Sequence, residues 1–508
     1  MAQSFGDAAA AAAALRSGLH DDLGDALVQS ADGFKAVLDT KHVAAFEKAT
    51  SHGVYADLHT IQSQQQEKRT MMNLSRIQMF LEGMDGLQEV LEELEPARAA
   101  NIMACVWGPM RFLLNTTNIN EKAFDHVLEA YQRLGAEIIP LNQYKHFFAG
   151  SQDATRCLLH IYRDILEFHR LAYKLFSLRT TLWNKLHRAS WKDLEATFVH
   201  LEKTLRLHAE FIRTHGRRDL RNVDSGFASP PTPAGGGGGG NDDLRRAHQQ
   251  YEAAHAAAWR RFRRAEEDRR TEQKTKILKW IAAPNKTETL HESFVRTRAL
   301  CPDSGRWLYK RYDAVSNWMR EDPPRDSTLW VHGPRGMGKT VLASLVVVRL
   351  RELAREGRIP DGAQVAYFYC QEGDHDMATY LGILRGILHQ FVSAAEVLDP
   401  DPDDAPPSPA AAAAAGRNII NSLNNNNNNN NNNNAAILPL CTDKIANSGG
   451  SSLGSPEAAL PLLEAFFDIN PRQYLVVDGL DECAEPTEVQ QAIAFLTAQV
   501  ARCEDVSQ

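Results

Sequence analysis

The sequence has no C-x-x-C pair: its seven cysteines (Cys105, Cys157, Cys301, Cys370, Cys441, Cys483, Cys503) are odd in number and widely scattered. This excludes the common zinc and thiol-exchange motifs and reads as reduced thiols in a cytoplasmic protein. Also missing is any apolar run of about 18 residues, so no transmembrane helix is expected. The Ala-rich start, DAAAAAAALRSGL, lacks a basic leader and carries Asp7, which argues against a signal peptide or presequence. Charge of one sign is not in excess: 56 Lys and Arg face 64 Asp and Glu, a formal net charge of -8. Nothing global therefore draws the chain to nucleic acid or acidic lipid. No repeat of roughly 30 to 45 residues occurs, which leaves no solenoid or propeller to act as a sensor. The eighteen histidines contain no H-E-x-x-H.

What is present suggests several units. A length of 508 residues with 43% hydrophobic content gives about three at a prior of ~150 residues each. Two low-complexity tracts divide them. SGFASPPTPAGGGGGGND (225–242) joins a proline cluster to six glycines and reads as a flexible linker, assigned to 224–243. The second tract, Asp399 to Ser455, holds DPDPDDAPPSP, an alanine run and the asparagines Asn424 to Asn434; it reads as a disordered insert that can be deleted without harm.

Ahead of the linker the periodicity is helical. Phe124, Val127, Leu128, Tyr131 and Leu134 form one stripe, and Leu158, Ile161, Tyr162, Ile165, Phe168 and Ala172 a second. A third, Leu194, Phe198, Leu201, Leu205 and His208, follows SWKD, whose Ser190 and Asp193 resemble a capping box. Residues 1–223 are thus expected to form an all-α bundle. After the glycines, 244–283 reads as one long basic helix stopped by Pro284, with eleven Lys/Arg against five Asp/Glu between Arg245 and Lys279. Its apolar stripe of Tyr251, Ala254, Ala258 and Phe262 favours packing on the bundle over binding nucleic acid or membrane. Residues 284–326 read as a helical connector.

The strongest chemical signal is STLWVHGPRGMGKTVLASLVVVRLREL. Leu329 to His332 reads as a short strand, after which Gly333, Pro334, Arg335, Gly336, Met337, Gly338, Lys339 and Thr340 fit G-x-x-x-x-G-K-[ST]. Glycines let backbone N–H groups converge on phosphates, and a helix starting near Lys339 turns its positive end toward them. In such a loop Lys339 neutralises phosphate charge and Thr340 ligates magnesium. A second apolar strand, QYLVVDGL, ends in Asp478, whose carboxylate can reach a magnesium-bound water. Asp481 and Glu482, just beyond it, are candidates to orient an attacking water. The expected fold is an α-helical N-terminal bundle plus an α/β P-loop NTPase domain at 327–508, binding ATP or ADP with Mg2+.

GPRGMGKT together with LVVDGLDEC resembles the NACHT-type STAND ATPases, and more narrowly the nephrocystin-like P-loop domain of fungal NOD-like receptor proteins. SGRWLYKRYDAVSNWM, VAYFYCQEGD and LGILRGILHQF add to the likeness, which covers roughly 283–503 without the insert. The region from NIMACVWGPMRFLL to HAEFIR is similar to the helical domain that often precedes this ATPase. The resemblance implies an ADP/ATP signalling switch with protein partners or self-association. It also implies a parallel sheet of order 5-1-4-3-2. The strands found are Leu329 to His332, one near Val365 to Cys370, and Tyr474 to Val477. With EDVSQ standing where the fourth would begin, the sheet is expected to be truncated after the third strand, with a gap beside the phosphate loop and little ATP turnover. The alternative is a helical interaction adaptor whose NTPase portion binds nothing.

Two further motifs are read as structural. GSSLG (450–454) matches a nucleophile elbow but lacks a preceding strand. Cys157 and His160, in CLLH, could be half a metal site, but no second pair exists and both positions fall within a helical core stripe.

Overall fold

The computed structural model describes residues 25–36, 38, 40–67, 74–117, 120–177, 180–224, 239–320, 327–359, 363–395, 437–470 and 472–507. Two compact units emerge, Met1–Ala265 and Glu266–Gln508.

The first unit is all helical. Its helices are α1 (25–35), α2 (Thr40–Phe46), α3 (Ser51–Glu67), α4 (Ser75–Leu94), α5 (Ala99–Thr117), α6 (Glu121–Ile138), α7 (Lys145–Gly150), α8 (Gln152–Phe176), α9 (Thr180–Asp224) and the early part of α10 (Gly239–Ile281). The stripes read from the sequence are the buried faces: Phe124 to Leu134 on α6 and Leu158 to Ala172 on α8 are almost wholly enclosed. Side chains fix two of the helix starts, since Asn120 accepts from the Ala123 N–H and Ser151 from the Ala154 N–H. The proposed capping box does not start a helix, because α9 begins at Thr180 and runs straight through Ser190 and Asp193. The reason is local: TTLWNKLHRA contains neither Gly nor Pro to stop it. Tyr251 on α10 joins the same core, as its stripe implied.

The second unit continues with α11 (Lys286–Ala299), α12 (Trp307–Arg311), α13 (Asp313–Arg320), α14 (Lys339–Arg355), β1 (Gln364–Tyr369), α15 (Tyr380–Ser393), α16 (Ile437–Asn447), α17 (Pro456–Ile469), β2 (Gln473–Asp478) and α18 (Pro486–Ser507). The two strands pair in parallel, with Gln364 opposite Gln473 and Tyr369 opposite Asp478. Alternation sorts β1 onto two faces. Ala366, Phe368 and Cys370 meet α15, α17 and α18, while Val365, Tyr367 and Tyr369 turn to residues of α11 and α14. Helices thus cover both faces, as a parallel sheet requires. The fold is therefore a helical unit plus a small α/β unit.

Two expectations fail here. Leu329 to His332 is not a strand: it joins no ladder, and Trp330 and Val331 are 65% and 56% exposed. An extended apolar segment becomes a strand only where a neighbouring strand exchanges hydrogen bonds with it, and among the described residues neither β1 nor β2 pairs with this segment along its open edge. The insert is also shorter than expected. Residues 437–455 are folded, with Ile437, Leu438, Cys441 and Leu453 in the core. Leu453 donates its N–H to the Trp280 carbonyl and accepts from Arg385. The asparagine-rich tract had masked ILPLC, an apolar run long enough for a buried helix turn. Residues 399–436 and the linker residues 225–238 lie outside the described residues.

Removing 437–455 is accordingly expected to unfold the α/β unit, read as loss of a cooperative thermal transition, whereas removing 399–436 should leave it. Packing supplies a second expectation. A Cβ on Gly135 would lie 2.4 Å from the Phe80 backbone nitrogen, where α6 meets α4. Gly135→Ala should destabilise the helical unit by about 1–3 kcal/mol, outweighing the ~1 kcal/mol of helix propensity gained; a denaturant midpoint at or above that of the parent chain would contradict this.

Candidate functional site

The loop from Gly333 to Gly338 is exposed and feeds directly into α14. Gly336 and Gly338 have φ of +82° and +81°, and Gly338 caps the helix in the left-handed region. No atom lies within 4 Å of a Cβ built on Gly333, Gly336 or Gly338. Backbone conformation requires glycine at Gly336 and Gly338, and all three leave the space over the helix N-terminus clear. The first backbone N–H groups of α14 have no intrahelical acceptor there, so the turn can cradle an anion. Lys339 folds back over its own loop, its Nζ donating to the carbonyls of Gly333 (2.9 Å) and Pro334 (3.2 Å). Pro334, Arg335 and Met337 face outward, Met337 strongly so.

Parallel pairing carries Asp478 to the carboxyl end of β2 beside Tyr369, and its backbone carbonyl accepts from the Cys370 N–H at 2.8 Å. Burial raises the Asp478 carboxyl above its ordinary value, and Glu482 and Asp481 add to the rise; the nearby Thr340 hydroxyl and the Lys339 charge oppose it. Lys339, Thr340 and Asp478, separated by nearly 140 positions in the chain, thus converge. Hydroxyl and carboxylate together offer oxygen donors suited to a hard divalent cation next to the anion cradle. Asp481 and Glu482 lie on a 3-10 turn, Leu480–Glu482. Asp481 is exposed, while Glu482 Oε2 accepts from the Glu372 N–H at 3.2 Å.

Two neighbours of the site, Cys370 and Cys483, escaped the sequence reading as a pair, and Gly479 entered it only as part of the family likeness. Gly479 turns with φ +75°, and a Cβ there would meet the Cys370 carbonyl oxygen at 2.8 Å. Only the small residue after the aspartate hinted at this close approach. Cys370 and Cys483 bring their sulfurs to 3.6 Å. Hydrogen bonding to the Cys483 sulfur, with burial, pushes the Cys370 thiol well above its ordinary value. No sequence spacing pairs residues 370 and 483; only the β1–β2 register does.

Among known families, the model described as Nephrocystin 3, N-terminal matches residues 303–404. That span takes in the glycine loop, α14, β1 and α15, and stops short of β2 and Asp478. No curated protein and no solved structure matches the chain.

Because its folded-state pKa is raised, Asp478 holds its proton more tightly in the folded chain than in the unfolded one. Stability therefore falls as pH rises from the ordinary carboxylate value through the raised one. In magnesium-free buffer, Asp478→Asn is expected to melt higher than the parent chain at pH 7. The difference should vanish once both forms are protonated; a variant of equal or lower melting temperature at pH 7 would refute the carboxylate's burial cost.

Proposed function

We propose that the chain is a nucleotide-binding signalling protein of the STAND type. The α/β unit takes ATP or ADP at Gly333–Thr340, with Mg2+ on Thr340 and Asp478, and the helical unit serves as effector or adaptor toward protein partners. The observation that carries this reading is the packing of α14 on β2, which sets Lys339 and Thr340 at the helix start beside Asp478 at the strand end, while Lys339 rests on carbonyls of its own loop. A β- and γ-phosphate entering the cradle gives Lys339 a better partner than two neutral carbonyls. The match to the Nephrocystin 3 N-terminal model supports an adaptor or signalling role, and the NACHT-like and fungal receptor character rests on the sequence resemblance. All seven cysteines are free thiols, in keeping with a reducing, cytoplasmic setting.

Efficient hydrolysis is not part of the proposal. Glu482 is engaged by a backbone N–H and Asp481 points outward, so neither is poised over a phosphate. A second reading, a helical adaptor whose NTPase portion binds nothing, is favoured by the unpaired Leu329–His332 segment and its exposed Trp330.

Titration of the full chain with fluorescent ADP and ATP separates the two. Saturable binding should fall by at least about tenfold in Lys339→Ala, whether or not magnesium is present, a loss of ~1.4 kcal/mol or more. Asp478→Ala should lose only the magnesium-dependent part. No binding by a chain with full helical circular dichroism would favour the adaptor, and equal losses at both positions with and without magnesium would refute the assigned roles.

A further inference from the structure

The helical unit carries a second cluster of chemistry that the nucleotide reading does not use. His160 and Asp164 stand one turn apart on α8, Glu252 and His255 one turn apart on α10, and His208 faces them from α9. Spacings of three and four residues put each pair on one helix face. The three imidazoles crowd together, with ring centroids 4.4 Å apart for His160 and His255, 4.9 Å for His208 and His255, and 5.9 Å for His160 and His208. Single ligand atoms from Asp164, His208 and His255 all lie within 4.8 Å of one another, and the same holds for His160, Glu252 and His255.

We propose that this cluster is a binding site for a divalent first-row transition metal of the zinc class, ligated by Asp164, His208 and His255, with His160 the nearest further donor. Imidazole and carboxylate donors suit such ions, and helical bundles build metal sites from inward-facing residues at these spacings. Burial is the first support. Asp164, His208 and His255 are only 3%, 0% and 8% exposed. Enclosing a carboxylate among imidazoles in an apolar core carries a desolvation cost that a cation offsets directly.

The outer contacts are the second support. Tyr251 and the His208 Nδ1 lie 2.6 Å apart, which holds the ring so that Nε2 faces Asp164 at 3.1 Å. Thr204 donates its hydroxyl to the same Asp164 oxygen. Ligating rings and carboxylates are commonly oriented in this way by partners on their far side. Nitrogen-to-metal distances of about 2.0–2.1 Å require the ligand atoms to draw inward by roughly 1 Å.

Two contacts must break on loading: the hydrogen bond between His208 Nε2 and Asp164, whose two atoms both turn to the metal, and one made by Trp259. Trp259 donates its indole N–H to His255 Nε2 at 3.1 Å, taking the only lone pair of the neutral ring. Whether the metal sits on Nε2 or on Nδ1 after a tautomer change, that hydrogen bond is lost. Metal uptake should therefore be visible in Trp259, and removing the indole N–H should favour it.

The test uses the untagged full chain, stripped with chelator and exchanged into Co2+ or Zn2+. About one equivalent should survive gel filtration, Co2+ should give a visible ligand-field band, and Zn2+ should raise the melting temperature of the helical unit, reversibly with chelator. Trp259→Phe, which keeps every proposed ligand, should bind several-fold more tightly and lose the emission change. His208→Gln with His255→Gln should abolish the band. Retention unchanged in that double variant would mean that the metal sits elsewhere, and no retention by a folded parent chain would mean that the cluster is a hydrogen-bond network only; either result overturns the proposal. If the double variant fails to fold, the Trp259→Phe affinity decides: affinity no tighter than the parent chain's overturns it.

Discussion

Within the α/β unit, the candidate site depends on the packing of α14 against β2, Leu342, Val346 and Leu350 against Tyr474 and Val476. That contact sets Thr340, at the first turn of the helix, beside Asp478 at the end of the strand. Register does the rest: pairing Tyr369 with Asp478 brings the ends of both strands level, and Gly479 then turns the chain tightly enough to pass the Cys370 carbonyl. A side chain at that turn would push the acidic 3-10 turn away from the loop.

The other side of the loop has no comparable support. Leu329 to His332 enters it without a ladder, so the loop is positioned from α14, by the left-handed Gly338 cap and by Lys339 reaching back to two carbonyls. Any anion taken up there must draw Lys339 off its two carbonyls, and that cost subtracts from affinity. An exposed Trp330 and Val331 on an unpaired extended segment also present open backbone hydrogen-bonding groups, the feature by which strands recruit further strands.

How much of this was legible in sequence follows from how local each signal is. Stripes at 3.6 residues located the buried faces of α6 and α8, because a stripe is a property of one helix. The glycine loop and the strand ending in Asp478 were legible because the chemistry needs fixed residue types at short spacing. Composition failed at 437–455, where an asparagine tract swamped the apolar ILPLC beside it. Extended character at Leu329 to His332 was real, but strand formation depends on a neighbour that no local pattern reveals. The capping box failed because a polar residue caps a helix only where the preceding turn cannot form.

The histidine cluster was the least legible feature, for a reason that extends the same logic. His208 and His160 both fall on apolar stripes, so a periodicity reading counts both as interior and stops. Their chemistry arises only where α8, α9 and α10 meet, with Asp164 and His208 separated by 44 positions and His160 and Glu252 by 92. A core is built from the apolar members of each stripe, and polar members survive inside it only when they satisfy one another. Here Thr204, Tyr251 and Trp259 supply that satisfaction from the outside of the cluster, leaving the histidines and carboxylates facing inward. A network that served packing alone would gain nothing from gathering three imidazoles and two carboxylates at one point, because apolar residues of equal volume fill the same space without the desolvation cost. The concentration of ligand atoms, rather than any one histidine, is what needs a chemical explanation.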